Sequence, residues 1–299
     1  MKRTITGVLL LDKPQGISSQ KAVTRVKNIY RAAKGGHTGS LDPLATGVLP
    51  ICLGEATKCA DYLLTAQKTY QVTAQLGQTT DTGDAEGEII IETLVTETML
   101  SQIDSILPNF TGVIQQIPPM YSAIKHRGQP LYKMARRGVV IERSARDITI
   151  YELQRLPNKK PNQLTLRVAC SKGTYIRTLV EDIGQALGCG AHVLELRRLQ
   201  VHNYSIEQTV SYESIQHMSL EALDELLLPI TSLVYYLPKA TISVAVAPLV
   251  KNGIPVDAEF NCEDAEGKWQ ILTEAGEFLG LGERTRDNKI APKRLLVGQ

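Results

Sequence analysis

Residues 35–50 read GGHTGSLDPLATGVLP, and the organisation of the chain follows from what such a run can be. Gly36, Gly39 and Gly47 allow sharp bends and the close approach of another backbone. Thr38, Ser40 and Thr46 add polar turn chemistry. Asp42 is the only acid in the run, and Pro43 after it pushes Asp42 toward an extended backbone. A single carboxylate is therefore held at a fixed angle, in a loop between a basic helix and an apolar strand. The run is not a phosphate-cradling loop, because it lacks the Gly-Lys-Ser/Thr ending that such loops need. Taken alone, an Asp-Pro step among Gly, Ser and Thr is also ordinary turn chemistry.

The chain has 299 residues, 43% hydrophobic and 21% charged, which is enough for about two domains with a buried core. No apolar run approaches the ~18 residues of a membrane span, and the opening MKRTITGVLLLDKPQG reaches Asp12 and Lys13 too early for a signal-peptide core. The expectation is a cytoplasmic protein with no membrane partner. Cys52, Cys59, Cys170, Cys189 and Cys262 are odd in number and form neither a Cys-x-x-Cys pair nor a Cys/His cluster at zinc spacing. Reduced thiols and no metal site are expected.

A net charge of +2 conceals segregation. Residues 1–34 hold Lys2, Arg3, Lys13, Lys21, Arg25, Lys27, Arg31 and Lys34 against Asp12 alone. Residues 125–146 hold Lys125, Arg127, Lys133, Arg136, Arg137, Arg143 and Arg146 against Glu142 alone. Acid gathers instead over 81–104 and 207–225. Basic stretches of this kind suit a polyanionic partner, although solvated helix faces read the same way.

Periodicity predicts strands over 7–11, 48–53, 68–76, 88–91, 148–156, 164–170 and 192–201. Helices are expected from Ser18 or Ser19, over 56–64, over 96–107, from Pro130 to Gly138, from about Thr174 to Leu187, and over 220–228. Residues 116–121, with Pro118 and Pro119, must be extended. Strands at 68, 148, 164 and 192 follow one another without the strand-helix alternation of a parallel sheet, so a mostly antiparallel α+β domain is expected. A boundary falls at Leu237-Pro238, giving domains 1–237 and 238–299. Short strands over 269–273, 277–281 and 294–297 make the second a small β-barrel.

The string His37-Thr38-Gly39-Ser40-Leu41-Asp42-Pro43-Leu44-Ala45-Thr46-Gly47 closely resembles the signature loop of the TruB-type tRNA pseudouridine synthases. Lys68-Thr69-Tyr70 with Leu76-Gly77 and Thr80-Asp81-Thr82-Gly83-Asp84 resembles that family's second motif. Ile117-Pro118-Pro119-Met120-Tyr121-Ser122-Ala123 resembles the third, and Cys170-Ser171-Lys172-Gly173-Thr174-Tyr175-Ile176-Arg177 the fourth. The resemblance covers residues 7 to about 203. More weakly, Phe278-Leu279-Gly280-Leu281-Gly282 and Ala291-Pro292-Lys293-Arg294-Leu295-Leu296 resemble a PUA-type RNA-binding domain.

The resemblance implies a pseudouridine synthase fold and a PUA-like C-terminal barrel. It also implies an enzyme that turns the T-loop uridine at conventional tRNA position 55 into pseudouridine, using neither metal nor organic cofactor, on a flipped base. By the same resemblance Asp42 is the catalytic carboxylate, and Arg177 grips it in a planar two-point pair that keeps it ionised. Tyr70 stacks on the target base and is a candidate proton acceptor. Tyr175 lines the pocket, His37 stands near the flipped nucleotide, Leu199 forms an apolar wall beneath the base, and Asp84 helps hold another extruded nucleotide. The segment 121–146 resembles the family's insertion, with Lys125, Arg136 and Arg137 on the RNA. The implied partner is tRNA, at its T-arm and elbow, met by a monomer. Two other readings share these residues: an RNA-guided rRNA pseudouridine synthase, and an RNA chaperone that folds tRNA without needing catalysis.

Overall fold

In the computed structural model, which describes residues 2–158, 160–263 and 267–296, a ten-stranded sheet and a six-stranded sheet carry most of the chain. The larger sheet begins with β1 (Gly7–Lys13), whose Val8, Leu9, Leu10 and Leu11 are all buried. The Ser18 side chain accepts a hydrogen bond from the Lys21 N–H and starts α1 (Ser19–Ile29), which turns Ala22, Val23 and Val26 inward. β2 (Gly35–His37) and β3 (Thr46–Leu53) run antiparallel with residues 38–45 between them.

The helix expected over 56–64 divides into a 3-10 segment, Gly54–Cys59, and one turn, α2 (Asp61–Leu64). Neither piece has a side-chain cap, and the Lys68 ammonium donates to the carbonyls of Leu63, Leu64 and Ala66, which closes the helix. β4 (Lys68–Leu76) follows as expected. β5 (Gln78–Thr80) and β6 (Ile89–Glu92) make a hairpin of their own, and α3 (Glu97–Ile106) comes next. β7 (Gly112–Gln116) is not legible as a strand from sequence: it is a short edge strand with Val113 exposed.

The segment after Pro119 contains a two-residue hairpin, β8 (Lys125–His126) with β9 (Gln129–Pro130), and the short helix α4 (Leu131–Ala135). β10 (Arg146–Leu156), β11 (Gln163–Cys170), α5 (Ile176–Ala186) and β12 (Ala191–Val201) then build the centre of the domain. β13 (Tyr204–Ser205) and β14 (Val210–Ser211) are two-residue additions. The strand order is β14-β1-β3-β12-β4-β11-β10-β7. Its pairs are antiparallel except β1 with β14 and β3 with β12, so the mostly antiparallel expectation holds. The helix expected over 220–228 ends at Glu225.

α5 buries Ile176, Leu179, Val180 and Ile183 against Val72, Ala74, Leu166 and Val193 of the central strands. α1 covers a second core, Leu9, Leu11, Leu49 and Ile51. The six-stranded sheet begins at Lys239 and wraps a small core that includes Ile242, Trp269, Ile271 and Ile290. Its last strand is Lys289–Leu295, longer and earlier than the expected 294–297, of which Val297 lies outside the described residues. The two sheets are not independent. Phe278 and Leu281 pack into one cluster with Val8, Leu10, Val48 and Cys52 of the larger domain.

Candidate active site

Residues 38–45 are pinned to the protein on both sides of Asp42. The Leu41 N–H donates to Ser19 Oγ at 2.7 Å, and Ser19 Oγ–H returns a bond to the Leu41 carbonyl at 3.0 Å. On the other side the Pro43 carbonyl accepts from the Gly16 N–H at 2.8 Å and lies 3.4 Å from Lys13 Nζ. Leu41, Leu44 and Ala45 are buried in the main core, so these neighbours of Asp42 turn inward while its carboxylate stays partly exposed. The Asp42 side chain keeps 40% of its exposure. Gly39 and Gly47 take the positive φ values of 141° and 104° that the turn requires, whereas Gly36 continues β2.

Arg177, in the first turn of α5, is 6% exposed and reaches Asp42 Oδ2 with Nε at 3.0 Å. The two-point grip expected from sequence is not formed. Nη1 donates to the Thr82 carbonyl at 2.9 Å and Nη2 to the Tyr121 carbonyl at 2.7 Å, while Asp84 Oδ2 stands 3.7 Å from Nη1. The guanidinium thus ties the Asp42 loop to the turn after β5 and to the start of the basic segment. Surrounding protein pushes the Asp42 pKa up; the charge of Arg177 is the strongest influence against this, and Asp84 adds to the rise.

Tyr70 stands on β4 opposite Arg198 of β12 and belongs to the buried cluster that also holds Leu41, Leu44 and Ile176. Burial raises its pKa, with Arg198 opposing, so the hydroxyl stays protonated at neutral pH. His37 is half-buried at the end of β2, and its Nδ1 accepts the Gly39 N–H at 3.2 Å, which places any proton of the neutral ring on Nε2. Burial, then Arg198, lowers the His37 pKa. Tyr175 is the residue before α5, and its backbone exchanges two bonds with the buried Gln116 side chain, at 2.8 and 3.0 Å.

The remaining predicted residues are placed differently. Leu199 lies at a β-bulge between Arg198 and Gln200, half-buried and outside the cluster around Tyr70; the β12 leucine that joins Leu41, Leu44 and Tyr70 is Leu196. Asp84 is 4% exposed, accepts from Thr82 Oγ1 at 2.7 Å and the Glu86 N–H at 3.1 Å, and faces Arg177 rather than solvent. Lys125, Arg136 and Arg137 are exposed on the segment over 121–146, with Arg136 stacked 5.6 Å above the Tyr132 ring. Lys13 and Arg198 escape a reading from sequence. Both are buried, and a buried cation has the same letter as a surface one.

The chain matches known proteins over nearly its whole length. The TruB family pseudouridylate synthase N-terminal domain matches residues 27–176, the tRNA pseudouridylate synthase B C-terminal domain 177–235, and the pseudouridine synthase II TruB C-terminal domain 238–296. A chain in a structure of an H/ACA RNP bound to a substrate RNA containing 2'-deoxyuridine is similar with a TM-score of 0.72 at 25% identity, over 98% of this chain and 85% of that one. A chain of a Cbf5-Nop10-Gar1 complex gives 0.72 at 27% identity, over 97% and 84%. The fold is that of the pseudouridine synthases, a mixed α+β domain followed by a barrel-like sheet. The tRNA pseudouridine synthase B of Actinobacillus pleuropneumoniae serotype 5b (strain L20) is 50% identical over 98% of this chain and 97% of the relative. That of Yersinia pestis (strain Pestoides F) is 50% identical over 99% and 93%. The chain belongs to the TruB family of pseudouridylate synthases.

Proposed function

We propose that this protein isomerises a T-loop uridine of tRNA, at conventional position 55, to pseudouridine, with Asp42 as the catalytic carboxylate. The observation that carries the reading is the mounting of Asp42: both neighbours are anchored, one oxygen meets a buried guanidinium, and the side chain still keeps 40% of its exposure. A carboxylate held this way suits attack on a sugar C1′ or acceptance of a sugar proton, since its oxygen needs no reorganisation when a flipped nucleotide arrives. The N1–C1′ bond breaks, C5 of the retained uracil bonds to C1′, the C5 proton passes to solvent and N1 takes up a proton, so that product and substrate are isomers.

Arg177 holds the carboxylate and supports its ionised form. Tyr70 stacks on the base, Leu196 closes the apolar side beneath it, and Tyr175 lines the pocket. A neutral His37 stands at the mouth of the loop, where a flipped nucleotide leaves space. Asp84 acts through Arg177 and not on a nucleotide. The C-terminal domain, residues 238–299, adds RNA affinity, and residues 1–237 carry the chemistry. No organic cofactor takes part.

Transfer RNA is favoured over a guide-dependent rRNA substrate by the relatives at 50% identity over nearly the whole chain, against 25–27% for the H/ACA structures. The basic segment over 121–146 supplies contacts that a guide RNA would otherwise provide. The protein meets the T-arm and elbow as a monomer in the cytoplasm. A bare T-arm stem-loop, incubated with the protein and assayed for release of tritium from C5-labelled uridine, tests this reading. Release without any guide RNA is the expected result, and its absence from a protein that binds the stem-loop leaves the chaperone role instead.

A further inference from the structure

Arg198 is one of the largest fully buried side chains of the protein, at 1% exposure. Its guanidinium is spent on main-chain carbonyls of the Asp42 loop and the strand leaving it: Nε donates to Val48 at 2.7 Å, Nη2 to Gly39 at 3.2 Å and Nη1 to Ser40 at 3.4 Å. The backbone of Arg198 lies between the same loop and Tyr70, paired with Gly47 of β3 on one side and with Tyr70 of β4 on the other.

The glycines of the loop fit this brace. A Cβ on Gly47 would stand 2.2 Å from the Arg198 carbonyl oxygen, and the φ of 104° there already favours glycine. Gly39, at φ 141°, brings its carbonyl to Nη2. The loop closes around one buried cation, and the sheet sets that cation at a fixed place beside Tyr70. A planar fork holds its donors in fixed directions and so fixes where three carbonyls stand relative to one another, whereas the donors of an ammonium rotate on a flexible stem.

We propose that Arg198 is a positioning residue for the isomerisation, a buried brace that fixes the Asp42 loop relative to Tyr70 through the carbonyls of Gly39, Ser40 and Val48. It touches no substrate atom. The inference rests on the reading of Asp42 as the catalytic carboxylate, because a brace matters to rate only if the loop it holds does chemistry. Misplacing a reacting group by a fraction of an ångström lowers rate far more than affinity.

The test measures single-turnover conversion and equilibrium binding of a T-arm stem-loop for the full-length wild type, Arg198→Lys, Arg198→Ala and Asp42→Asn. Arg198→Lys keeps a buried cation but loses the fork; the expected result is a rate at least about 100-fold lower with RNA affinity within about threefold of wild type. Guanidinium chloride at low concentration should restore the Arg198→Ala rate about tenfold or more by entering the vacated site, and should do nothing for Asp42→Asn. A folded Arg198→Lys that turns over within about threefold of wild type overturns the proposal. So does a rate loss matched by weaker binding, an Arg198→Ala rate that guanidinium leaves unchanged, or failure of both variants to fold, which makes Arg198 structural only. An inactive wild type, or an active Asp42→Asn, overturns the underlying reading of the site instead.

Discussion

Arg177 touches Asp42 with one nitrogen only: Nε lies 3.0 Å from Oδ2, while Nη1 and Nη2 donate to the carbonyls of Thr82 and Tyr121. The guanidinium is therefore a three-way joint between the Asp42 loop, the turn after β5 and the entrance to the basic segment. A lysine in its place would reach Asp42 only by abandoning both carbonyls, leaving buried acceptors unpaired. Arg177→Lys is expected to lower turnover about 100-fold or more, measured as single-turnover conversion of a T-arm stem-loop. A variant at near wild-type rate would show that the ion pair is dispensable.

The acid side of the rate profile reports on Asp42. Surrounding protein raises its pKa above the ordinary 3.8, and Arg177 is the main charge holding it down. A reaction that needs the ionised carboxylate is lost as pH falls through that raised value. Arg177→Gln removes the opposing charge, so the acid limb of its residual activity should move to higher pH. Asp84→Asn removes a charge that pushes the same way as burial, so its limb should move to lower pH. Limbs that coincide with wild type in both variants would detach the profile from Asp42.

Tyr70 separates ring from hydroxyl. Its raised pKa keeps the phenol protonated, so it can stack and donate before it can act as a base. Tyr70→Phe is expected to hold RNA affinity within about threefold and to lose at least about tenfold in rate. Equal rates for the Phe variant and wild type would leave stacking as the whole of its role.

The basic segment should hold RNA without reading its sequence. Arg136 and Arg137 are exposed, and Arg136 is stacked on Tyr132 where both can meet a splayed nucleotide. We expect the segment over 121–146 to become more protected from hydrogen exchange when RNA binds. Replacing both arginines by Ala should weaken binding for every tRNA alike and flatten the salt dependence, by roughly 0.7 log units per log of salt for each phosphate no longer neutralised. An unaltered salt slope would place the phosphates elsewhere.

Much of this molecule is legible in its sequence because the signals are local. The Asp42 loop carries its own turn residues, and the apolar runs of β4, β11 and β12 form strands close to where they are expected. What fails depends on long-range geometry. Leu199 is the residue passed over at the β12 bulge after Arg198, and the β12 leucine that shares the buried cluster of Tyr70 is Leu196. Lys13 reads as part of a basic surface stretch, yet it is fully buried on the carbonyls of Pro14 and Ile17. Arg3 is ion-paired with Asp224, so that stretch offers less free charge than its composition suggests. Asp84 looks like an acid in an open turn, and only the fold shows it turned back onto Arg177.

The most direct measurement is single-turnover pseudouridine formation on a bare T-arm stem-loop by wild type and Asp42→Asn, with binding of the same RNA measured in parallel. Asn keeps the size of the side chain and the packing of Leu41 and Leu44 on either side. On the proposed reading, in which Asp42 acts on bond breaking and not on docking, the variant should lose several orders of magnitude in rate, with RNA affinity changed by less than about tenfold. Turnover by Asp42→Asn close to that of the wild type would contradict the account.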